Sequence, residues 1–252
     1  MSGSVPMTPK IRWSIVVPVL NEGATLSRLI ERLVDLPDIS HSEILIVDGG
    51  STDQTRDVFM ECAREHPKLI FLEAPTGKGI GLRLAFSRAR GRYIAFLDGD
   101  LQYAPAELPK LMRKVERGAD LVVTRRRVVW ADNSARRLAS HAFKGLGHAL
   151  LDMPVSDPQS GMKAFRASLL PRMHLTAMNW GLDVQLIRQT QALGGRIEEV
   201  EIEFHPRPGG KTKTGLFSTS FDLLRTALDE KMGEQKNKKT ESKPPKRRRG
   251  HV

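Results

Sequence analysis

The chain has 252 residues, 40% hydrophobic and 27% charged, which is the composition of a soluble globular protein with length enough for a real core. A single cysteine, Cys62, excludes an internal disulfide and a cysteine-rich zinc site, and suits a reducing compartment. The net charge of +11 is uneven: residues 231–252 carry nine Lys or Arg against two acids, leaving only +4 on everything before them.

The opening "MSGSVPMTPKIRW" is polar, so no secretory leader is expected, and no apolar run reaches the 18 residues a membrane-spanning helix requires. "WSIVVPVL" (13–20) is a β-branched apolar run and predicts a strand buried on both faces. A helix follows over 21–37, with Leu26, Leu29, Ile30, Leu33 and Val34 at helical spacing and Pro37 as its stop. "EILIVDGG" (43–50) predicts a second strand, 51–67 a helix with Val58, Phe59, Cys62 and Ala63 inward, and "KLIFLEAP" (68–75) a third strand. A helix over 79–91, a strand over 92–100, a helix over 105–119 and a strand over 120–126 continue the alternation.

The second half changes character. Residues 133–154 predict a helix with Leu138, Ala142, Leu146 and Leu150 on one side. Residues 156–170 begin as loop and turn into a short strand and helix; 179–195 predict a helix and 196–208 a strand. A last amphipathic helix over 216–232 shows a stripe of Phe217, Phe221, Leu224 and Leu228, and the basic segment after it lacks apolar periodicity and is expected to be disordered.

Strands alternating with helices imply right-handed crossovers and a mostly parallel sheet covered on both faces, with ligands bound beyond the carboxyl ends of the strands. Four polar clusters fall at those ends: Pro18 to Glu22, Asp48 to Asp53, Asp98 to Gln102, and Thr124 to Arg126. Asp98-Gly99-Asp100 by itself suits an ordinary turn as well as a divalent cation, for which it offers hard oxygen ligands. Its place beside three other polar clusters on one rim favours a site.

"PVLNE" (18–22), "VDGGSTDQT" (47–55), "GKGIG" (77–81), "DGDLQ" (98–102), "DPQSGMKAF" (157–165) and "RPGGKTKTG" (207–215) occur in this order. Together they resemble glycosyltransferase family 2, and within it the dolichol-phosphate or polyprenyl-phosphate mannosyl- and glucosyltransferases, over about residues 12 to 216. The resemblance implies a GT-A, Rossmann-like α/β fold, with a flexible N-terminus (1–11), a catalytic domain (12–215), the amphipathic helix (216–232) and the polybasic tail (233–252).

It also implies roles. Asp98, Asp100 and Gln102 would hold Mg²⁺ or Mn²⁺, with Asp98 also close to the ribose and Gly99 among the substrate-binding residues. Glu22 and Asp48 would hold the nucleoside, walled by Pro18, Leu20, Val47 and Gly49. Leu20 stands where mannosyl members usually carry Tyr, and Gly49 where they carry a second Asp, so guanine and uracil donors both stay open. "GKGIG" has no strand directly before it and no Lys-Ser/Thr pair after it, so it is not a P-loop; Lys78 is expected near the nucleotide. Arg126 would bind the diphosphate, with Arg125 as the alternative for that place, and Arg207 and Lys213 would close a lid over the donor. Arg136 and Ser140, one helical turn apart, would take the acceptor's phosphate. Asp157 and Asp183 would bind sugar hydroxyls. His141 and His205 are weaker candidates for a base.

The function so implied is inverting, metal-dependent transfer of a hexose, mannose ahead of glucose, from GDP-mannose or UDP-glucose to polyprenyl or dolichyl phosphate. The protein is expected on the cytoplasmic face of an anionic membrane, peripherally attached, with or without a separate membrane subunit. A family 2 enzyme with a soluble acceptor is the alternative. A nucleic-acid binder using the tail is a distant third, because the tail has no aromatic interleaving and no recognition fold accompanies it.

Overall fold

The protein is described by a computed structural model, which covers residues 11–37, 39–128 and 153–208. The helices expected over 133–154 and 216–232, the N-terminal segment, the basic tail, and Arg136, Ser140, His141 and Lys213 lie outside those residues, apart from Ile11, Met153 and Pro154.

The described residues form seven strands and five α-helices: β1 (Trp13–Val19), α1 (Leu26–Val34), β2 (Ser42–Asp48), α2 (Thr55–Glu65), β3 (Leu69–Glu73), α3 (Lys78–Arg88), β4 (Tyr93–Leu97), α4 (Leu108–Glu116), β5 (Leu121–Val128), β6 (Met162–Arg166), α5 (Gly181–Ala192) and β7 (Ile197–Phe204). The strands make one sheet in the order β3-β2-β1-β4-β6-β5-β7. Pairings β1–β2, β1–β4, β2–β3 and β5–β7 are parallel, so the mostly parallel α/β sheet expected from the alternation is present. The exception is β6, which enters antiparallel between β4 and β5 and hydrogen-bonds to both. Because β6 reverses direction between two strands of the same sense, the carboxyl ends of β1, β2, β4 and β5 still share one rim.

The apolar runs Ile15–Val17 in β1, Ile44–Val47 in β2 and Tyr93–Leu97 in β4 reflect burial on both faces. One face packs under α1, α2 and α4, with Ile15, Val17, Leu29, Leu33, Ile46 and Leu111 at its centre. The other packs under α3 and α5, with Val16, Leu45, Leu82, Phe86, Phe96 and Ile187. α1 is shorter than the predicted 21–37: residues 21–25 form the turn that leads into it, with Asn21 in the left-handed region at φ 51°.

The glycines of "GKGIG" serve packing. A Cβ on Gly79 would sit 2.5 Å from the Ala177 carbonyl oxygen and 2.8 Å from that of Asn179, and the Ile80 amide donates to the Met178 carbonyl at 3.1 Å. The first turn of α3 is thus docked directly on the backbone of residues 177–179. Gly79→Ala is expected to destabilise the fold by about 1–3 kcal/mol through this forced displacement, read as a lowered urea midpoint; an unchanged midpoint would show that the 177–179 segment yields freely.

Candidate active site

The loops after β1 and β2 are sewn together by side chains of the "STDQT" stretch. The Asn21 amide donates to Ser51 Oγ (2.8 Å), the Thr52 amide to Asn21 Oδ1 (2.7 Å), the Glu22 amide to Thr55 Oγ1 (2.9 Å) and the Gly23 amide to Asp53 Oδ2 (3.0 Å). Asp48 accepts from the Ser51 amide and hydroxyl at 2.9 and 2.6 Å, while Glu22 Oε2 accepts from Thr25 Oγ1 at 3.0 Å. Pro18, Leu20 and Gly49 stand at this rim, Gly49 anchored by its amide to the Val19 carbonyl at 3.0 Å. Val47 does not: its side chain is buried against Gly81 of α3, and it supports the rim from below.

After β4 the chain makes a tight turn through Asp98, Gly99 and Asp100, and Leu101 adopts φ 58°. A buried leucine rarely takes this left-handed conformation, and such strain concentrates at functional sites. The turn lets the Gln102 amide donate to Asp100 Oδ1 at 3.1 Å. Gln102 is paired with the residue after β7, its side-chain amide donating to the His205 carbonyl at 3.3 Å and the His205 amide to the Gln102 carbonyl at 2.9 Å. That pairing brings Arg207 over the site, where its guanidinium lies 2.8 Å from Asp100 Oδ2 and 3.4 Å from Glu22 Oε1.

Asp98 has its own cation. Lys78 Nζ, at the start of α3, lies 2.7 Å from Asp98 Oδ1 and 3.7 Å from Asp183 Oδ2, with its ammonium 4.6 Å from the Trp180 ring centre. Burial pushes the Asp98 carboxyl above the usual carboxylate range; Lys78 opposes that shift and the neighbouring Asp100 adds to it. Burial lowers the proton affinity of Lys78, but Asp98 and Asp183 outweigh it and hold the ammonium firmly charged. A Cβ at Gly161 would overlap the Asp98 carboxylate, so only glycine lets β6 lie so close to it.

On the other side, Arg126 and Asp157 clasp each other. Nε donates to Asp157 Oδ2 at 2.7 Å and Nη2 to Oδ1 at 2.8 Å, a bidentate fork on a carboxylate only 1% exposed. The guanidinium lies 5.3 Å from the Phe204 ring centre, which in turn meets Tyr103 edge-on at 4.9 Å. Tyr103 is buried, accepts the Gly161 amide at 2.6 Å, and has its hydroxyl pushed up to about 12, chiefly by burial. Arg125 points the other way, exposed and paired with Glu201 of β7 at 2.7 Å.

The structure thus gathers Glu22, Lys78, Asp98, Asp100, Gln102, Asp183 and Arg207 in one connected cluster, with Arg126 and Asp157 beside it. Asp157 and Asp183 both hold cations within the protein. Tyr103, Trp180 and Lys163 are part of the site without having been expected there. Only Lys163 carried a signal, a lysine inside the otherwise apolar "GMKAF".

Asp98, Asp100 and the Gln102 amide oxygen are hard donors suited to Mg²⁺ or Mn²⁺. Among the described residues no group of three or more His, Cys, Asp and Glu could hold an ion. Two carboxylates and one amide oxygen make a partial shell, of the kind in which Mg²⁺ takes its remaining oxygens from outside the protein. Lys78 on Asp98 and Arg207 on Asp100 already put positive charge at both carboxylates.

A family model for glycosyl transferase family 2 matches residues 14–173. The chain is 30% identical over 219 residues to the undecaprenyl-phosphate 4-deoxy-4-formamido-L-arabinose transferase of Shewanella sediminis, covering 84% of this chain and 65% of that one. It is 31% identical over 218 residues to the undecaprenyl-phosphate mannosyltransferase of Micrococcus luteus (81% and 87%), and 26% identical over 244 residues to a dolichyl-phosphate beta-glucosyltransferase of Trichomonas vaginalis (87% and 74%). The chain spans just under two thirds of the length of the arabinose-type transferases it matches. Its fold is that of glucosyl-3-phosphoglycerate synthase from Mycobacterium tuberculosis, solved with Mn²⁺, UDP and glucosyl-3-phosphoglycerate: TM-score 0.72, 23% identity, 87% of this chain and 79% of that one. The sheet is accordingly a GT-A sheet, and the chain belongs to glycosyl transferase family 2.

Proposed function

We propose that the protein transfers a hexose, mannose ahead of glucose, with inversion from a nucleoside-diphosphate sugar to a polyprenyl phosphate. The observation that carries this is the convergence of Glu22, Lys78, Asp98, Asp100 and Arg207, from separate chain segments, into one alternating charge cluster at the carboxyl rim. The polyprenyl-phosphate acceptors named for relatives at about 30% identity support the acceptor class.

In this reading Glu22 and Asp48 accept from nucleoside hydroxyls or base N–H groups, with Pro18, Leu20 and Gly49 beside the base. Asp98, Asp100 and Gln102 would hold Mg²⁺ or Mn²⁺, which supplies Lewis-acid neutralisation of the diphosphate as the glycosidic bond breaks. Lys78, Arg126 and Arg207 add fixed positive charge and help exclude water from the donor, a role Lys213 would share. An acceptor phosphate oxygen attacks the anomeric carbon, the bond to the diphosphate oxygen breaks, and the electron pair leaves with the nucleoside diphosphate. A phosphate monoester has a second pKa near ~6, so no side chain has to remove a proton. Arg136 and Ser140 would hold that phosphate. The apolar stripe at 217–228 and the basic tail together would supply the two weak attachments that keep a peripheral protein on an anionic cytosolic leaflet.

The test is a donor screen of GDP-mannose, UDP-glucose and UDP-GlcNAc against a short polyprenyl phosphate in anionic vesicles, with 3-phosphoglycerate as a soluble acceptor in parallel. Transfer to the lipid from one donor, abolished by EDTA and restored by Mg²⁺ or Mn²⁺, is expected. Transfer to 3-phosphoglycerate alone would overturn the acceptor, and full activity in excess EDTA would overturn the metal.

A further inference from the structure

Lys163 is the second residue of β6, with none of its side chain exposed. Its ammonium donates to the Ser160 carbonyl and to Asp183 Oδ1, the latter at 2.5 Å, and sits 5.5 Å from the Phe96 ring centre. Its strand neighbours Met162, Ala164 and Phe165 are apolar and equally buried, so the sheet itself asks for no charge here. Burial makes a charged ammonium costly, and Asp183 offsets that cost.

Asp183 is the shared element. One oxygen holds Lys163 and the other lies 3.7 Å from Lys78, which is nearer to Asp98 at 2.7 Å. Charges therefore alternate along Lys163, Asp183, Lys78 and Asp98, from the centre of the sheet to the rim. With Lys163 absent, the buried Asp183 would have Lys78 as its nearest cation, and the two would close up at the expense of Asp98.

We propose that Lys163 is a positioning residue for the donor site: by satisfying Asp183 it leaves Lys78 on Asp98. This rests on the donor reading above, but Lys78's position can be measured without any donor. The ¹⁵Nζ resonance of Lys78, whose ammonium is buried and ion-paired, reports its partner directly. Binding of Mn²⁺ with UDP or GDP, neither of which carries the sugar, reports the consequence without involving any contact between Asp183 and a hexose.

Lys163→Met is expected to move the Lys78 resonance and to weaken Mn²⁺–nucleotide binding by about tenfold or more, the scale seen when supporting partners of a metal site are lost. Lys163→Met combined with Asp183→Leu removes the competitor as well as its partner. It should return the resonance and bring binding back to within about threefold of the native protein, a residual of under 1 kcal/mol. Lys163→Arg, which keeps the charge, should rescue in part. An unmoved Lys78 resonance in Lys163→Met, or a folded double variant that binds nucleotide as poorly as the single one, overturns the proposal. If Lys163→Met does not fold, the double variant is read against the native protein, and a displaced Lys78 in it is the overturning result. A native protein that binds neither nucleotide would remove the donor reading, while the resonance would still decide what Lys163 does.

Discussion

Asp100→Asn is expected to lower sugar transfer by about a hundredfold or more, equivalent to about 2.7 kcal/mol of lost transition-state stabilisation, with little change in the unfolding midpoint. The asparagine keeps the shape of the turn and an oxygen to accept the Gln102 amide, so the strained Leu101 position is not disturbed. What is lost is the full charge that faces Arg207 at 2.8 Å and that would hold a divalent ion against a diphosphate. Arg207 keeps Glu22 at 3.4 Å, which limits the structural cost. Initial rates with Mg²⁺ and Mn²⁺, beside a urea melt, make the comparison. A variant within a few-fold of native activity at either ion would remove Asp100 from the metal site.

Arg126→Met is expected to be damaging in a different way, costing stability as well as turnover. It takes both charged hydrogen bonds from Asp157, whose side chain is 1% exposed, and breaking a buried pair from one side costs about 3–5 kcal/mol. Asp157 has further contacts within the protein, so the lower end of that range is the expectation. Replacing Asp157 as well, in Arg126→Met/Asp157→Leu, should recover most of the stability and, if Arg126 binds the donor diphosphate as proposed, none of the transfer. A single variant as stable as the native protein would show that the fork contributes nothing net. Recovery of transfer in the pair would show that Arg126 serves only to neutralise Asp157.

The strands and helices of the first half were legible because the buried strands carry apolar cores such as Ile44–Val47, and helices such as Leu26–Val34 carry a clear stripe. The rim was legible for the same reason: polar residues such as Asp48 and Asp98 stand out where such runs end. The position of β6 was not, because "MKAFR" fixes a strand but not its neighbours, and antiparallel insertion between β4 and β5 is settled by pairing across some 70 residues of chain. Nor were the partners of the charged residues. Motif spacing offers Lys78 and Asp183 as ligand-facing groups, while only three-dimensional packing shows them tied to Asp98 and Lys163. The glycines at 77 and 79 read as loop chemistry and act as clearance for another backbone, which one-dimensional sequence cannot display.

The inserted strand also fixes the order in which the molecule can be completed. As the chain emerges during synthesis, β1 to β4 can pair in turn through near-local crossovers, but β4 then presents an open edge of buried Tyr93, Ile94, Ala95, Phe96 and Leu97. β5 cannot cover it, since its place is one strand further out; only Met162–Arg166 fits. The sheet therefore stays divided until more than 160 residues are available, and closing it requires a long-range pairing of the kind that slows folding. Two ion pairs at and beneath the rim, Arg126–Asp157 and Lys163–Asp183, draw on that late segment. No fragment that stops short of Arg166 contains a finished sheet, and the Lys163–Asp183 pair cannot form before that strand exists.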